Sequence, residues 1–584
     1  MEARTPSKTG SRTGARLVAE FLARRGVRRI YGLCGGHIQP IWDEAARAGI
    51  RVVDVRHECA AVYMAHAEAD LTGSLGVAMV TAGPGLTNAI TGIANASVAR
   101  SPVLVVSGRP PRPQAGMGAL QDIPQGDLIR PICRRVETVY ESHHILPRLE
   151  TAIRAAEGVG TPSGPAYVDF PTDLLRADIP DAEVDELFFE PSFREKLSPS
   201  KEAIQQAASI IREARRPLVI SGKGARAGAR ELSAFLEASG ALYLDTAESR
   251  GAVPLDHPAS VPASRAKVMA EADVIVTVAR KLDFQLAYGS RAVFSEDAKF
   301  VRLGANADEL FDNRRGDAEL LGDVAASLKA LTEAGAAPER PDTEWIQSLK
   351  AYDREKSEKF TARMGRQPAG SDGYMHPSTL LAAVNEFIDE ETIVVADGGD
   401  ILSFARGGLR AETYLDPGPL GCLGVGVPFA NSAALNFPEQ RVVAVIGDGS
   451  FGLTAMEVDT AVRHNAQAVF VVANNESWAI ERNDQLVGYG GNLVGVDLPG
   501  CRYDKLAEGL GAYAERVEKA EDLPGALQRA FENAPALLDV AVTPEAESPD
   551  FKNGLAWVPD RQALEAWDQA EKRRYAMNGE QSQA

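Results

Sequence analysis

The chain has 584 residues, more than one hydrophobic core accommodates, and by the usual size relation it divides into about three domains. With 45% hydrophobic and 24% charged residues it is globular in composition, which excludes a fibrous or largely disordered polymer. The formal net charge of −19 leaves no broad basic face to neutralise a phosphate backbone, so nucleic acid is excluded as the main partner.

Residues 1–14 are polar and mildly basic and no long apolar run follows them; a disordered arm is expected, with neither a signal peptide nor a membrane span. Residues 15–185 alternate short β-branched runs (29–33, 51–55, 77–80, 103–107 and 166–169) with amphipathic stretches such as the one carrying Leu17, Val18, Phe21 and Leu22. That alternation predicts helices layered on a parallel sheet. The Pro- and charge-rich stretch 178–201 reads as a linker. A second block fills 200–340, with strands at 218–221, 242–245, 274–278 and 300–303. A third fills 375–545, with strands at 393–396, 442–446, 469–472 and 537–542. Residues 546–584 lose the alternation; Trp557 and Trp567 among charged neighbours suit a lid over a site or packing on another subunit. The fold class is α/β, with three domains each built on a mainly parallel sheet flanked by helices. Five scattered cysteines without a C-x-x-C spacing predict neither a disulfide framework nor a zinc site, and fit a reducing cytoplasm.

Chemistry concentrates in the third block. Gly447-Asp448-Gly449-Ser450 follows one apolar strand and Asn474-Asn475-Glu476-Ser477 follows the next, with Asp448 and Asn475 27 residues apart. An intervening helix, with Met456, Val458 and Ala461 on its apolar side, returns the chain so that both strand ends open on one sheet edge. Asp448, Asn475 and the Ser477 carbonyl then offer oxygen ligands to a hard cation such as Mg²⁺. Gly449 and Ser450 offer backbone N–H groups to a diphosphate at a helix start. Singly, a Gly-Asp-Gly turn or an Asn-Asn loop is ordinary structure. At this spacing, each after an apolar strand, they read together as a site.

This pattern resembles the signature of thiamine diphosphate-dependent enzymes, and the resemblance runs from about residue 15 to about residue 545 as pyrimidine-binding, central and diphosphate-binding domains. It implies thiamine diphosphate and Mg²⁺ as cofactors. It carries Glu58, after Arg56-His57, onto the glutamate that promotes the imino form of the pyrimidine; the turn Thr81-Ala82-Gly83-Pro84-Gly85 is in the family pattern too. It adds Gly399, Asp400, Gly421, Leu423, Gly447 and Ile480 to the cofactor-binding set, Leu423 as the bulky residue that keeps the cofactor bent. In this family the pyrimidine and diphosphate domains meet across a subunit boundary, which implies a homodimer at minimum and a homotetramer as the expected assembly.

Within the family, Tyr31-Gly32-Leu33-Cys34-Gly35-Gly36-His37 resembles the corresponding loop of benzaldehyde lyase, which makes His37 a proton relay; a structural hydrogen-bonder is the competing reading. The stretch 118–125 resembles that of 2-hydroxyacyl-CoA lyases, with Leu120 where those often carry an aromatic residue and Gln121 lining the substrate pocket. The tyrosine usual there in oxalyl-CoA decarboxylases is missing, which counts against that activity. Gly222-Lys223-Gly224-Ala225-Arg226 resembles the turn with which CoA-using members hold the nucleotide, so Lys223 and Arg226 are expected on phosphates of CoA or ADP in the central domain. The competing reading is a plain turn with solvated charges, and a flavin there is left open. Glu481 reads as an acid or base beside the reacting centre, or as a solvated charge paired with Arg482 or Arg502. The expected reaction is reversible cleavage of a 2-hydroxyacyl-CoA, such as 2-hydroxyisobutyryl-CoA, to an aldehyde or ketone plus formyl-CoA. A CoA-independent benzaldehyde lyase-like carboligase and an acetohydroxyacid synthase-like enzyme acting on pyruvate are the alternatives.

Overall fold

Three separate parallel sheets organise the chain, as seen in a computed structural model that describes residues 10–158, 161–190, 196–291 and 293–553. The first sheet runs, in spatial order, Arg51–Asp54, Arg29–Gly32, Gly76–Val80, Val103–Arg109, Ala166–Pro171 and Arg135–Thr138. The second runs Leu242–Leu244, Pro217–Ser221, Val274–Val278, Lys299–Gly304 and Ala318–Leu321. The third runs Thr413–Leu415, Ile393–Asp397, Val442–Gly447, Ala468–Asn474, Ala536–Ala541 and Tyr513–Val517. In each, the strand that comes first in the chain lies second in space, its successor pairs on one side and the next strand on the other. The winding therefore reverses there, which opens a crevice beyond the carboxyl ends of the two diverging strands.

The three α/β domains agree with the expected fold, and the apolar strands are buried on both faces by helices, as parallel sheets require. Four strands of these three sheets escape the sequence reading: Arg135–Thr138, Ala318–Leu321, Thr413–Leu415 and Tyr513–Val517. The expected arm is also too long. Ser11–Thr13 pairs antiparallel with Asp178–Pro180, so part of the presumed linker is a strand as well. Thr13 then accepts from the Arg16 N–H at 3.1 Å as N-cap of helix Gly14–Arg24. Met456, expected on an apolar face, is exposed, whereas Val458 and Ala461 are buried.

The first and third domains share one core. Helix Glu58–Thr72 is alanine-rich and buried nearly all round, which fits an element sandwiched between its own sheet and the third-domain helix Gly426–Asn436. Tyr63 and His66 meet Phe429 edge-on, with ring centroids 6.3 and 5.1 Å apart. The Ser432 hydroxyl donates to the Met64 carbonyl at 2.8 Å across the same seam.

Candidate active site

At the carboxyl edge of the third sheet, Asp397 is level with Ile446 and Gly447 with Ala473, so the ends of three adjacent strands emerge side by side. Asp448 starts helix Asp448–Thr454 at this edge and is only 2% exposed. Its Oδ2 has no hydrogen-bond partner, and burial pushes the carboxyl up to about 7 although N–H groups of Gly449 and Ser477 oppose the shift. Asn475 Oδ1 accepts from Ser477 N–H at 3.1 Å and from its hydroxyl at 3.2 Å, which folds the second ligand loop against Asp448. Asn474 turns inward and donates to buried Asp539 at 2.9 Å. The doublet thus divides its work between site and core.

Close backbone approach governs the rest of this edge. A Cβ on Gly449 would lie 2.6 Å from the Trp478 ring, and one on Gly399 3.2 Å from Ile480 Cδ1, so both glycines keep a shallow cradle open. Asp400 is buried with Oδ1 unpartnered; burial pushes it up to about 7, and the charges of Asp550 and Glu481 add to the shift. Glu481 is exposed, and the arginines considered as its partners pair elsewhere, Arg482 with Asp497 and Arg502 with Asp504. Asp397 accepts from Gly424 N–H at 3.0 Å and Gly426 N–H at 2.8 Å, and Ser450 Oγ also accepts from Gly424, at 2.9 Å. These bonds fix the loop that carries Gly421 and Leu423. The Ser450 hydroxyl is thereby committed to that loop, while its N–H remains at the helix start.

The start of the expected lid packs here too. Asp550 N–H donates to the Ser403 hydroxyl at 2.8 Å, and Ser548 hydrogen-bonds Asp400. Trp557, Trp567 and the rest of 554–584 lie outside the described residues.

The first sheet contributes a second crevice, between strands Arg29–Gly32 and Gly76–Val80. His37 follows the first and stands 3.5 Å from Thr81 Oγ1, which follows the second. Its ring hydrogen-bonds Gln121, and partial burial lowers its pKa, which keeps the imidazole neutral near pH 7. Gln121 adopts φ 63° and packs on Gly83, where a Cβ would come within 2.9 Å. Leu120 is 78% exposed at the mouth. Glu58 begins its helix beside this crevice, 5% exposed, with Oε2 accepting from Asn88 Nδ2 at 3.0 Å.

Several of these supports are absent from the sequence reading. Asn88, Asp397 and Asp539 hold Glu58, the Leu423 loop and the Asn474 turn respectively. Gln125 is another: it accepts from Gly83 N–H at 3.1 Å and donates to Asp169 at 3.0 Å and Tyr167 at 2.7 Å, pinning the glycine turn from below. The one signal available was position, since Asn88 lies a turn into the helix after the glycine turn and Asp397 closes a strand ahead of Gly398-Gly399.

Family models match each domain. The N-terminal TPP binding domain of thiamine pyrophosphate enzymes matches residues 12–129, the central domain 204–331 and the C-terminal TPP binding domain 402–540. A 2-hydroxyacyl-CoA lyase 2 from Caenorhabditis elegans is 34% identical over 551 residues, covering 86% of this chain and 84% of its own. The chain belongs to the thiamine pyrophosphate enzyme family. Among other relatives, the Homo sapiens 2-hydroxyacyl-CoA lyase 2 is 32% identical, covering 92% of this chain and 90% of its own. A probable acetolactate synthase of Mycobacterium bovis is 34% identical, covering 92% and 97%.

As a thiamine pyrophosphate enzyme, the chain offers residues that fit that cofactor and a divalent cation beside it. The free buried oxygen of Asp448 beside the Asn475–Ser477 loop is a hard-oxygen donor set suited to Mg²⁺. Among the described residues no cluster of three or more His, Cys, Asp or Glu side chains could hold a metal, so such a cation depends on amide, carbonyl and cofactor oxygens as well. All five cysteines are free. No helix among the described residues is long and apolar enough to cross a membrane.

Lys223 and Arg226, expected on phosphates of CoA or ADP, both contact protein groups. Lys223 is not a loop cation facing solvent: its ammonium lies 2.6 Å from Asp70 and donates to the Ala99 carbonyl at 2.8 Å and to Ser101, all in the first domain. Arg226 donates to the carbonyls of Glu248 at 3.0 Å and Arg250 at 2.9 Å. Lys223 thereby ties the turn after strand Pro217–Ser221 to the first domain, and the buried pair Arg100–Glu309 (2.7 Å) is a second clasp. Burial lowers the Lys223 pKa and Asp70 opposes it, while Asp70 is held below the ordinary carboxylate range by Lys223 and His66.

Proposed function

We propose that this chain is a thiamine diphosphate- and Mg²⁺-dependent lyase that cleaves 2-hydroxyacyl-CoA to an aldehyde or ketone and formyl-CoA, and runs the reverse ligation. The observation that carries the reading is that one crevice gathers His37, 3.5 Å from Thr81, Gln121, packed on Gly83, and the carboxylate of Glu58 at its border. Similarity to proteins named 2-hydroxyacyl-CoA lyase 2 over most of both chains supports it.

Bound thiamine diphosphate supplies the electron sink for the bond broken next to the carbonyl. Asp448, Asn475 and the Ser477 carbonyl would hold Mg²⁺, Gly399, Gly447, Gly449 and Ser450 would offer N–H groups to a diphosphate, and Leu423 and Ile480 would supply apolar contacts to the rest of the cofactor. Glu58, held by Asn88, would offer its carboxyl group for proton exchange with the pyrimidine ring of the bound cofactor. His37 accepts the proton of the 2-hydroxyl as C1–C2 breaks, and Gln121 donates to the thioester oxygen. Glu481, exposed near Asp400, returns a proton to the one-carbon fragment. Leu120 leaves room for a branched group at C2, which favours 2-hydroxyisobutyryl-CoA, giving acetone. Glu58 serves the cofactor held by a second copy, so a homodimer is the smallest active unit and a homotetramer the expected one. A reducing cytoplasm suits the five free cysteines.

A second reading, an acetolactate synthase-like enzyme acting on pyruvate, draws on equal identity to the Mycobacterium bovis protein. Protein loaded with thiamine diphosphate and Mg²⁺ is incubated with 2-hydroxyisobutyryl-CoA, benzoin or pyruvate, and products are identified by mass spectrometry. Formyl-CoA with acetone is expected, and His37→Ala should slow it by about 100-fold. No formyl-CoA from several 2-hydroxyacyl-CoAs, with acetolactate formed from pyruvate, replaces the first reading by the second.

A further inference from the structure

Glu457 opens the third-domain helix Glu457–His464, yet its carboxylate is spent on the first domain. It is 1% exposed. Oε1 accepts from Arg56 N–H at 3.1 Å and His57 N–H at 3.0 Å; Oε2 accepts from the Thr460 hydroxyl at 2.6 Å and lies 3.3 Å from Arg56 N. Arg56 and His57 are the two residues before Glu58. His57 is also the N-cap of the Glu58 helix, its Nδ1 accepting from Cys59 N–H at 3.1 Å. The turn that presents Glu58 is therefore gripped twice, by its own imidazole and by a carboxylate from another domain. Both Glu457 oxygens are occupied by fixed donors, so the group acts as an anchor. Charge-assisted bonds to paired N–H groups are the stronger and more directional kind.

The docking of the two domains does not hang on this residue alone. On the same helix, Arg463 donates to the Asp54 carbonyl at 2.9 Å and His464 Nε2 lies 2.9 Å from Asp54 Oδ1. Phe429 and Ser432 hold the seam farther along. Losing Glu457 frees the Arg56–His57 turn while those contacts persist.

We infer that Glu457 is a positioning residue for Glu58, setting the turn so that the Glu58 carboxylate meets the pyrimidine nitrogen of the cofactor. This rests on the reading of Glu58 given above. The test uses Glu457→Ala, Glu457→Gln, Glu457→Asp and Glu58→Gln. Two quantities are read: deuterium exchange of the thiazolium C2 proton in protein saturated with thiamine diphosphate and Mg²⁺, and amide exchange of the peptide spanning 55–60 in the cofactor-free chain. Glu457→Ala should slow C2 exchange on the order of 100-fold, the cost of roughly an ångström of misplacement. It should also speed amide exchange at Arg56 and His57. Glu457→Gln keeps an acceptor oxygen and should restore both to within about tenfold. If Glu457→Ala proves unfolded, Glu457→Asp keeps the charge, withdraws the oxygens by one methylene, and should show the same two changes in smaller degree. C2 exchange at the wild-type rate in the folded Ala or Asp variant, with Glu58→Gln inactive in exchange, overturns the inference alone. Wild-type exchange in Glu58→Gln overturns the Glu58 reading and this inference together.

Discussion

In the cofactor-free chain, replacing Asp448 by Asn should flatten the dependence of stability on pH. Burial lifts the Asp448 carboxyl from near 4 to about 7, so the folded state binds its proton more tightly than the unfolded state does. The stability this confers is fully present below the unfolded value and is lost as pH rises through about 7. Between pH 5 and 8 the loss amounts to about 2.5 kcal/mol at 1.36 kcal/mol per unit. Asp397, pushed up to about 6, and Asp400, up to about 7, slope the same way, so the wild-type curve falls more steeply than this one group requires. Subtracting the Asp448→Asn curve isolates the Asp448 part. Calorimetric melting of both proteins from pH 5 to 8 reads it as a gap that changes by about 2–4 °C, because the first and third domains share a core and melt together. Thiamine diphosphate with Mg²⁺ should raise the wild-type midpoint at pH 8 and leave the variant little changed. Parallel curves for the two proteins would refute the assignment of an orphaned, buried acid to this position.

Three further outcomes follow from the same geometry. Asn474→Ala removes a donor from buried Asp539 and should cost about 1–3 kcal/mol, whereas Asn475→Ala should leave melting nearly unchanged and weaken Mg²⁺-dependent activity at least about tenfold; equal behaviour of the two would contradict the division between them. Lys223→Met leaves part-buried Asp70 with His66 as its remaining partner and should cost about 1–3 kcal/mol, with the KM for the proposed acyl-CoA substrate unchanged. A tenfold rise in KM at constant melting temperature would return Lys223 to the nucleotide. Gly449→Ala adds a methyl 2.6 Å from the Trp478 ring and should cost about 1–3 kcal/mol together with cofactor affinity, followed by tryptophan fluorescence during titration with thiamine diphosphate and Mg²⁺.

The interior of each sheet was legible because its strands are unbroken apolar runs. The four strands missed from the parallel sheets all lie at sheet edges, where polar residues interrupt the run, as in Arg135-Val136-Glu137-Thr138. Asp448 and Asn475 were legible for a related reason: each directly follows a strand that the pattern reveals. Asn88, Asp397 and Glu457 were not, because what gives them meaning lies 30, 27 and 400 residues away. Lys223 exposes the same limit from the other side. A glycine turn with two cations reads alike whether water or another domain covers it, and here the covering domain decides.

The clasp between Lys223 and Asp70 bears on how this chain can be recombined. A part-buried cation on one domain whose counter-ion sits on another makes the central unit a poor cassette: grafting one without a cation at position 223 would strand Asp70, and one without an acid at position 309 would strand Arg100. Chimeras with junctions near residues 200 and 340 should therefore fold only when positions 70 and 100 are exchanged along with the insert. The smallest transferable piece is the central domain plus the surface of the first on which it rests.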